Sequence, residues 1–190
     1  PVVTNAVHQR VMDEVIWPTV KGMAAEGNRY TGFLYAGLMI DTAGNPKVIE
    51  FNCRFGDPET QPIMLRLQSS LVELVEAAEA GTLDQIEARW DPRPSLGVVL
   101  AAGGYPGNYA KGLPITGLDQ AKASDGKVFH AGTALEGNQV VTSGGRVLCA
   151  TALGDDVLAA QQAAYRLAEQ IQWEGSFYRS DIGYRAIGRK

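Results

Sequence analysis

Apolar positions recur at two different periods along this chain, and the changes of period mark out its elements. Val7, Val11 and Val15, with Met12, Ile16 and Met23, fall near helical spacing, and Asn5 stands where a helix cap belongs. Pro18 lies inside that stretch. Proline removes a backbone donor and crowds the preceding turn, so a kink or a restart is expected there, and Gly22 and Gly27 weaken the helix end. Over about 30–41 and 46–53 the pattern becomes extended, and Thr42-Ala43-Gly44-Asn45 between them suits a tight hairpin. Pro62 opens another helical stretch. Ser70-Leu71-Val72-Glu73 matches a capping box for a further helix, with Leu71, Leu74, Val75 and Ala78 on one face and Gly81 as its stop.

Asp91-Pro92-Arg93-Pro94 is the strongest boundary signal, because prolines so close together can neither continue a helix nor pair in a central strand. Beyond it, Leu96–Ala102, Gly126–Leu135, Gln139–Thr142 and Arg146–Leu153 read as short strands between glycine-rich turns. One long helix is expected over about Asp155–Gln172, with Val157, Leu158, Tyr165, Leu167 and Ile171 as its apolar set and acids at its start, where the helix dipole favours them. No internal repeat or low-complexity tract occurs.

The 190 residues are 45% hydrophobic and 20% charged, the profile of an ordinary globular protein with one large or two small domains. A net charge of −4 without a Lys/Arg cluster argues against nucleic acid as a partner. No apolar run approaches a membrane span, and no signal peptide pattern occurs. Cys53 and Cys149 stand apart among apolar neighbours, which reads as two buried thiols in a reducing cytoplasm, with no disulfide framework or zinc site. The chain begins at Pro1 and enters a helix pattern almost at once, and so reads as a fragment.

The densest chemistry lies in Ile49-Glu50-Phe51-Asn52-Cys53-Arg54-Phe55-Gly56-Asp57-Pro58-Glu59-Thr60-Gln61. Side chains two apart in a strand share a face, so Glu50 and Asn52 aim a carboxylate and an amide oxygen at one spot, while Phe51 and Cys53 turn into the core. Hard oxygen donors suit Mg²⁺, which is usually held by one or two carboxylates together with substrate phosphates. Arg54 continues on that face with a fork for phosphate or carboxylate, and the Gly56-Asp57-Pro58-Glu59 turn brings two more acids close. On residues alone a second reading stands beside this one. Glu50 and Asn52 can be a solvated strand face, and Arg54, Asp57 and Glu59 a local ion pair bracing a turn; Asp57-Pro58 is also a common turn opener.

Glu50-x-Asn52-x-Arg54 resembles the metal-binding strand of the ATP-grasp ligases, and Arg54-Phe55-Gly56-Asp57-Pro58-Glu59-x-Gln61 resembles the signature of the phosphoribosylamine–glycine ligase family. The likeness extends through Tyr30–Met39, Ala101–Gly107, Lys127–Thr133 and Thr142–Val147, nearly the whole chain. It implies an α+β fold: the carboxy-terminal half of an ATP-grasp domain over 1–91, then a small β-rich, barrel-like domain with one long helix over 92–190. It implies ATP-dependent ligation of glycine to 5-phosphoribosylamine through a glycyl phosphate, giving glycinamide ribonucleotide, ADP and phosphate in purine synthesis. Under it Glu50 and Asn52 hold Mg²⁺ or Mn²⁺ on the ATP phosphates. Arg54 holds the transferring phosphoryl group or the glycine carboxylate, and Asp57 and Glu59 face the amine of glycine or phosphoribosylamine. The glycine-rich phosphate loop and the nucleotide-binding lysine are expected in an amino-terminal portion of the same enzyme, so the fragment alone should be inactive. Another ATP-grasp carboxylate–amine ligase and a non-catalytic module of this fold are the alternatives.

One departure affects the metal. Many ATP-grasp enzymes carry a further acidic ligand on the preceding strand, yet Phe33–Ile40 holds no acid and Asp41 reads as a turn residue. Elsewhere, His8 is expected in a solvent-facing or capping role and His130 as a packed, hydrogen-bonded histidine. Ser143-Gly144-Gly145-Arg146 reads as a hairpin turn, with a phosphate-binding role as its rival, and Tyr178-Arg179-Ser180-Asp181 reads as a surface turn with an ion pair.

Overall fold

Helical and extended periods resolve into five α-helices and seven strands in the computed structural model, which describes residues 3–188. The helices are α1 (Asn5–Val11), α2 (Trp17–Ala25), α3 (Thr60–Arg66), α4 (Leu71–Ala80) and α5 (Val157–Ala168). The strands are β1 (Tyr35–Ile40), β2 (Pro46–Asn52), β3 (Ser95–Ala101), β4 (Gly126–His130), β5 (Thr133–Glu136), β6 (Gln139–Thr142) and β7 (Arg146–Leu153). The chain divides into two units. One runs through Asp57 and resumes over Ser69–Ala88; the other comprises Pro58–Gln68 and Arg89–Ile187.

In the first unit Thr4, one residue before the expected Asn5, caps α1 by accepting the Val7 N–H at 3.3 Å. Pro18 does not restart the helix: a π turn over Met12–Ile16 joins α1 to α2 without a break, and this wider turn comes just before the proline, whose N–H is missing and whose ring crowds the preceding turn. β1 and β2 form an antiparallel ribbon. Its turn is built by Asp41, whose carboxylate accepts the N–H groups of Ala43 and Asn45, each at 2.9 Å, and the Asn45 side-chain amide at 2.8 Å. The Asn45 donors hold the Asp41 carboxyl below its ordinary pKa. Ser70 caps α4 as expected, accepting the Glu73 N–H at 3.3 Å, and Gly81 ends it in the left-handed region.

The second unit centres on the antiparallel sheet β3-β7-β4, with β5-β6 as a separate hairpin. The stretch 126–135, expected as one strand, is two strands in two sheets. At the break Gly132 lies against Gly144 and the Arg146 carbonyl, a place with no room for a Cβ. β7 is covered on both faces. Leu148, Ala150 and Ala152 join Val98 and Leu100 in a core closed by Ala160, Ala164, Leu167 and Ala168 of α5. These alanines one turn apart let the helix approach closely, and Leu158, expected to face inward, is exposed. On the other face, Gly97 leaves space beside Cys149, Thr151 and Pro62 of α3.

α3 is tied at two points to the segment that leads into β3. Ser95 Oγ donates to the Pro62 carbonyl at 2.7 Å, and Arg66 donates to the Asp91 carbonyl at 2.9 Å and 3.1 Å. Compact packing therefore does not follow the 1–91 and 92–190 division read from the prolines, because α3 supplies the second unit's sheet with a covering layer.

Candidate functional site

β2 carries the site, and a local irregularity sets its aim. The β1–β2 register shifts between Gly37 and Leu38: Gly37 pairs with Glu50 and Leu38 with Val48, leaving Ile49 as the extra residue. A bulge twists a strand more sharply and re-aims the side chains beside it. Glu50 is the first residue past the bulge and Asn52 lies two further on, so the two share a face. Gly37 faces them from β1; a Cβ there would sit 3.0 Å from the Glu50 Cγ. The absent side chain at Gly37 is thus what lets Glu50 lie where it does, a constraint that the polar pattern alone does not reveal.

Neither the Glu50 carboxylate nor the Asn52 amide has a hydrogen-bond partner among the described residues. Glu50 is exposed and Asn52 half-buried. Two oxygen donors on one face, accessible and not spent on a neighbour, form a donor set that suits a hard cation. Among the described residues no cluster of three or more His, Cys, Asp or Glu could complete a metal site, β1 contains no acid, and Asp41 is committed to the hairpin turn. The remaining coordination would fall to water and phosphate oxygens, which Mg²⁺ accepts, or to a residue of the amino-terminal portion expected from the family resemblance.

Past Asn52 the strand ends, so its alternation does not extend to Arg54 as expected. Arg54 lies in an exposed bend, where its Nη1 donates to the Phe55 carbonyl at 2.8 Å. The Phe55 ring stacks on Phe33 with centroids 3.9 Å apart. Gly56 is buried and Asp57 exposed. The change of unit falls between Asp57 and Pro58, and Glu59 on its far side occupies the cap position of α3. The sequence-predicted residues are therefore split: Glu50, Asn52, Arg54 and Asp57 belong to the first unit and Glu59 to the second. In α3 the Gln61 Oε1 is buried without a hydrogen-bond partner.

Models of the phosphoribosylglycinamide synthetase ATP-grasp (A) domain and C domain match residues 1–60 and 95–185. The chain belongs to the phosphoribosylglycinamide synthetase family. It is 77% identical over its full length to a phosphoribosylamine–glycine ligase of Pseudomonas aeruginosa and 73% identical to one of Vibrio cholerae, covering 44% of each. The crystal structure of phosphoribosylamine–glycine ligase from Thermotoga maritima superposes with a TM-score of 0.76 at 37% identity, over 96% of this chain and 44% of that one. The chain thus spans less than half the length of the curated relatives it matches. Family membership places the Glu50–Asn52 strand in the ATP-grasp part and the β3-β7-β4 sheet in the C domain.

Other expectations for this family member need correction. Phe51 and Cys53 do not enter a closed core: both are exposed, and with Met23, Tyr30 and Leu34 they border a cavity of about 150 Å³. Only Cys149 is a buried thiol. His8 is exposed, as expected. His130 keeps its expected hydrogen bond, Nδ1 to Thr133 Oγ1 at 3.0 Å, but is exposed where packing was expected, because it ends β4. Ser143 and Gly144 cannot offer backbone donors to a phosphate, since both N–H groups donate to the Gly132 carbonyl, at 2.7 Å and 3.1 Å.

Proposed function

We propose that this chain supplies the metal-holding strand and the carboxy-terminal domain of a phosphoribosylamine–glycine ligase, acting with an amino-terminal portion such as its longer relatives possess. The reaction joins glycine to 5-phosphoribosylamine at the expense of ATP. The glycine carboxylate takes the γ-phosphoryl group to form glycyl phosphate and ADP. The amine of phosphoribosylamine then attacks the acyl carbon, phosphate leaves, and the amine gives up a proton. The single observation that carries this reading is the pair Glu50 and Asn52, set on one face just past the bulge, with both side chains uncommitted.

In this reading Glu50 and Asn52 hold Mg²⁺ or Mn²⁺, which when bound neutralises the charge that gathers on the ATP phosphates. Arg54 is exposed and keeps most of its donors for the transferring phosphoryl group or the glycine carboxylate, where a bidentate fork fixes orientation as well as charge. Asp57 and Glu59 attract the protonated amine of glycine or the amine of phosphoribosylamine. The boundaries 1–91 for the ATP-grasp portion and 92–190 for the carboxy-terminal domain belong to the same proposal. So does a cytoplasmic location, which suits the exposed thiol of Cys53.

Turnover by a protein of the relatives' full length tests this reading. Glu50→Gln should lower ATP-dependent formation of glycinamide ribonucleotide by roughly 10²–10³-fold, the scale of losing one preorganised charge-stabilising group. Wild-type turnover in Glu50→Gln would overturn it.

A further inference from the structure

A second polar site lies in the carboxy-terminal unit, where residues 179–186 border a cavity of about 400 Å³. Arg179 and Arg185 both line it. Arg179 is held by a two-point pair with Asp181, Nε to Oδ1 at 2.8 Å and Nη2 to Oδ2 at 2.7 Å. Arg185 differs: it has no carboxylate partner among the described residues, and its Nε donates only to the neutral Tyr184 hydroxyl, at 2.9 Å. Two guanidinium groups against one carboxylate leave the cavity with an unbalanced positive charge.

This segment is a loop, yet it is fastened to α5. Tyr165 Oη donates to the Arg179 carbonyl at 2.6 Å and accepts the Ile182 N–H at 3.0 Å, while Gln161 Nε2 donates to the Ile182 carbonyl at 2.6 Å. Gly183, at φ +82°, then turns the chain where any Cβ would strike Leu96. The arginines are thus presented from a braced backbone, so little ordering remains to oppose a ligand. The plain alternative, an ion pair steadying a surface turn, accounts for Arg179 with Asp181. It does not account for Arg185 in the same cavity with no acid of its own.

We propose that the Arg179–Arg185 cavity is a binding site for a phosphate monoester. A monoester carries close to two negative charges near neutral pH and three acceptor oxygens, enough for the Nη groups of Arg185 and the Nη1 that Arg179 does not give to Asp181, whereas a carboxylate brings one charge and two oxygens. The Tyr184 ring beside Arg185 (guanidinium carbon 5.6 Å from the ring centroid) offers a flat surface to a sugar on the ester side. The site is independent of Glu50 and Asn52 and needs neither ATP nor a metal. Under the ligase reading, the substrate with this group is 5-phosphoribosylamine.

Titrating ribose 5-phosphate, inorganic phosphate and acetate into the 190-residue chain, followed through amide NMR shifts, tests the proposal. Ribose 5-phosphate should bind more tightly than phosphate, acetate should not compete, and the shifts should gather at Gly183–Ala186. Arg185→Gln should weaken binding about tenfold or more, the scale of a lost charge-assisted hydrogen bond, and Arg185→Lys should recover part of it. Shifts centred elsewhere, or wild-type affinity in Arg185→Gln, would overturn the site. If Arg185→Gln fails to fold, the map of shifts in the wild-type chain still decides. The experiment contains no nucleotide, so its failure is distinct from failure of the ligase reading.

Discussion

Single residues set the terms of both sites. Glu50 is usable because it is left uncommitted, and Gly37 is the reason it has room. Gly37→Ala should therefore act through Glu50. With a neighbour that must give by a few tenths of an ångström, the variant should stay folded yet bind Mg-nucleotide several-fold more weakly in the full-length protein, and unchanged binding would argue against this role. Asp91 illustrates a structural use of charge. It is buried, and its carboxylate accepts the Arg93 N–H, Nε and Nη2 at 2.9–3.0 Å, which holds its pKa at about 2. A depressed folded pKa gives stability that is complete above the ordinary carboxylate value of about 3.9 and is lost as pH falls toward 2. The melting temperature of the carboxy-terminal unit should accordingly drop over that window. Asp91→Asn should melt lower at neutral pH and show a flatter pH dependence below pH 4.

At the scale of elements, what the sequence made legible was whatever one residue's own chemistry dictates. Ser70 and Gly81 bracket α4, and Asp41 and Gly44 lie in the hairpin turn. What stayed hidden depends on packing between distant segments. The break at Gly132 arises from Gly144 and Arg146, the exposure of Phe51 and Cys53 from the cavity they border with Met23 of α2, and the allegiance of α3 from its packing on β3 and β7. Local spacing also placed Arg54 on a strand that in fact ends at Asn52. Gly117 belongs with these tertiary constraints. It sits at φ +85°, where a Cβ would run into the Gln170 carbonyl at the foot of α5. Gly117→Ala should destabilise the second unit by more than about 1 kcal/mol in denaturant titrations, while a neutral substitution would mean that α5 ends less rigidly than described.

For the whole molecule, the chain holds two kinds of chemistry in separate units: hard oxygen donors on a bulged strand, and arginines on a loop braced to a helix. The family resemblance was legible because the Arg54–Gln61 signature is dense and local, and family models and relatives of matching identity bear it out. The roles of its residues were not equally legible, since Arg54 leaves the strand and Glu59 belongs to the other unit. The central claim is that Glu50 and Asn52 jointly hold a divalent cation against nucleotide phosphates. Calorimetry of Mg-ADP binding to a protein of the relatives' full length, wild type beside Glu50→Gln, tests it most directly. The account predicts a binding heat that disappears without Mg²⁺ and an affinity reduced at least tenfold, about 1.4 kcal/mol, in the variant. Binding that needs no metal, or that is as tight in Glu50→Gln as in wild type, would contradict it.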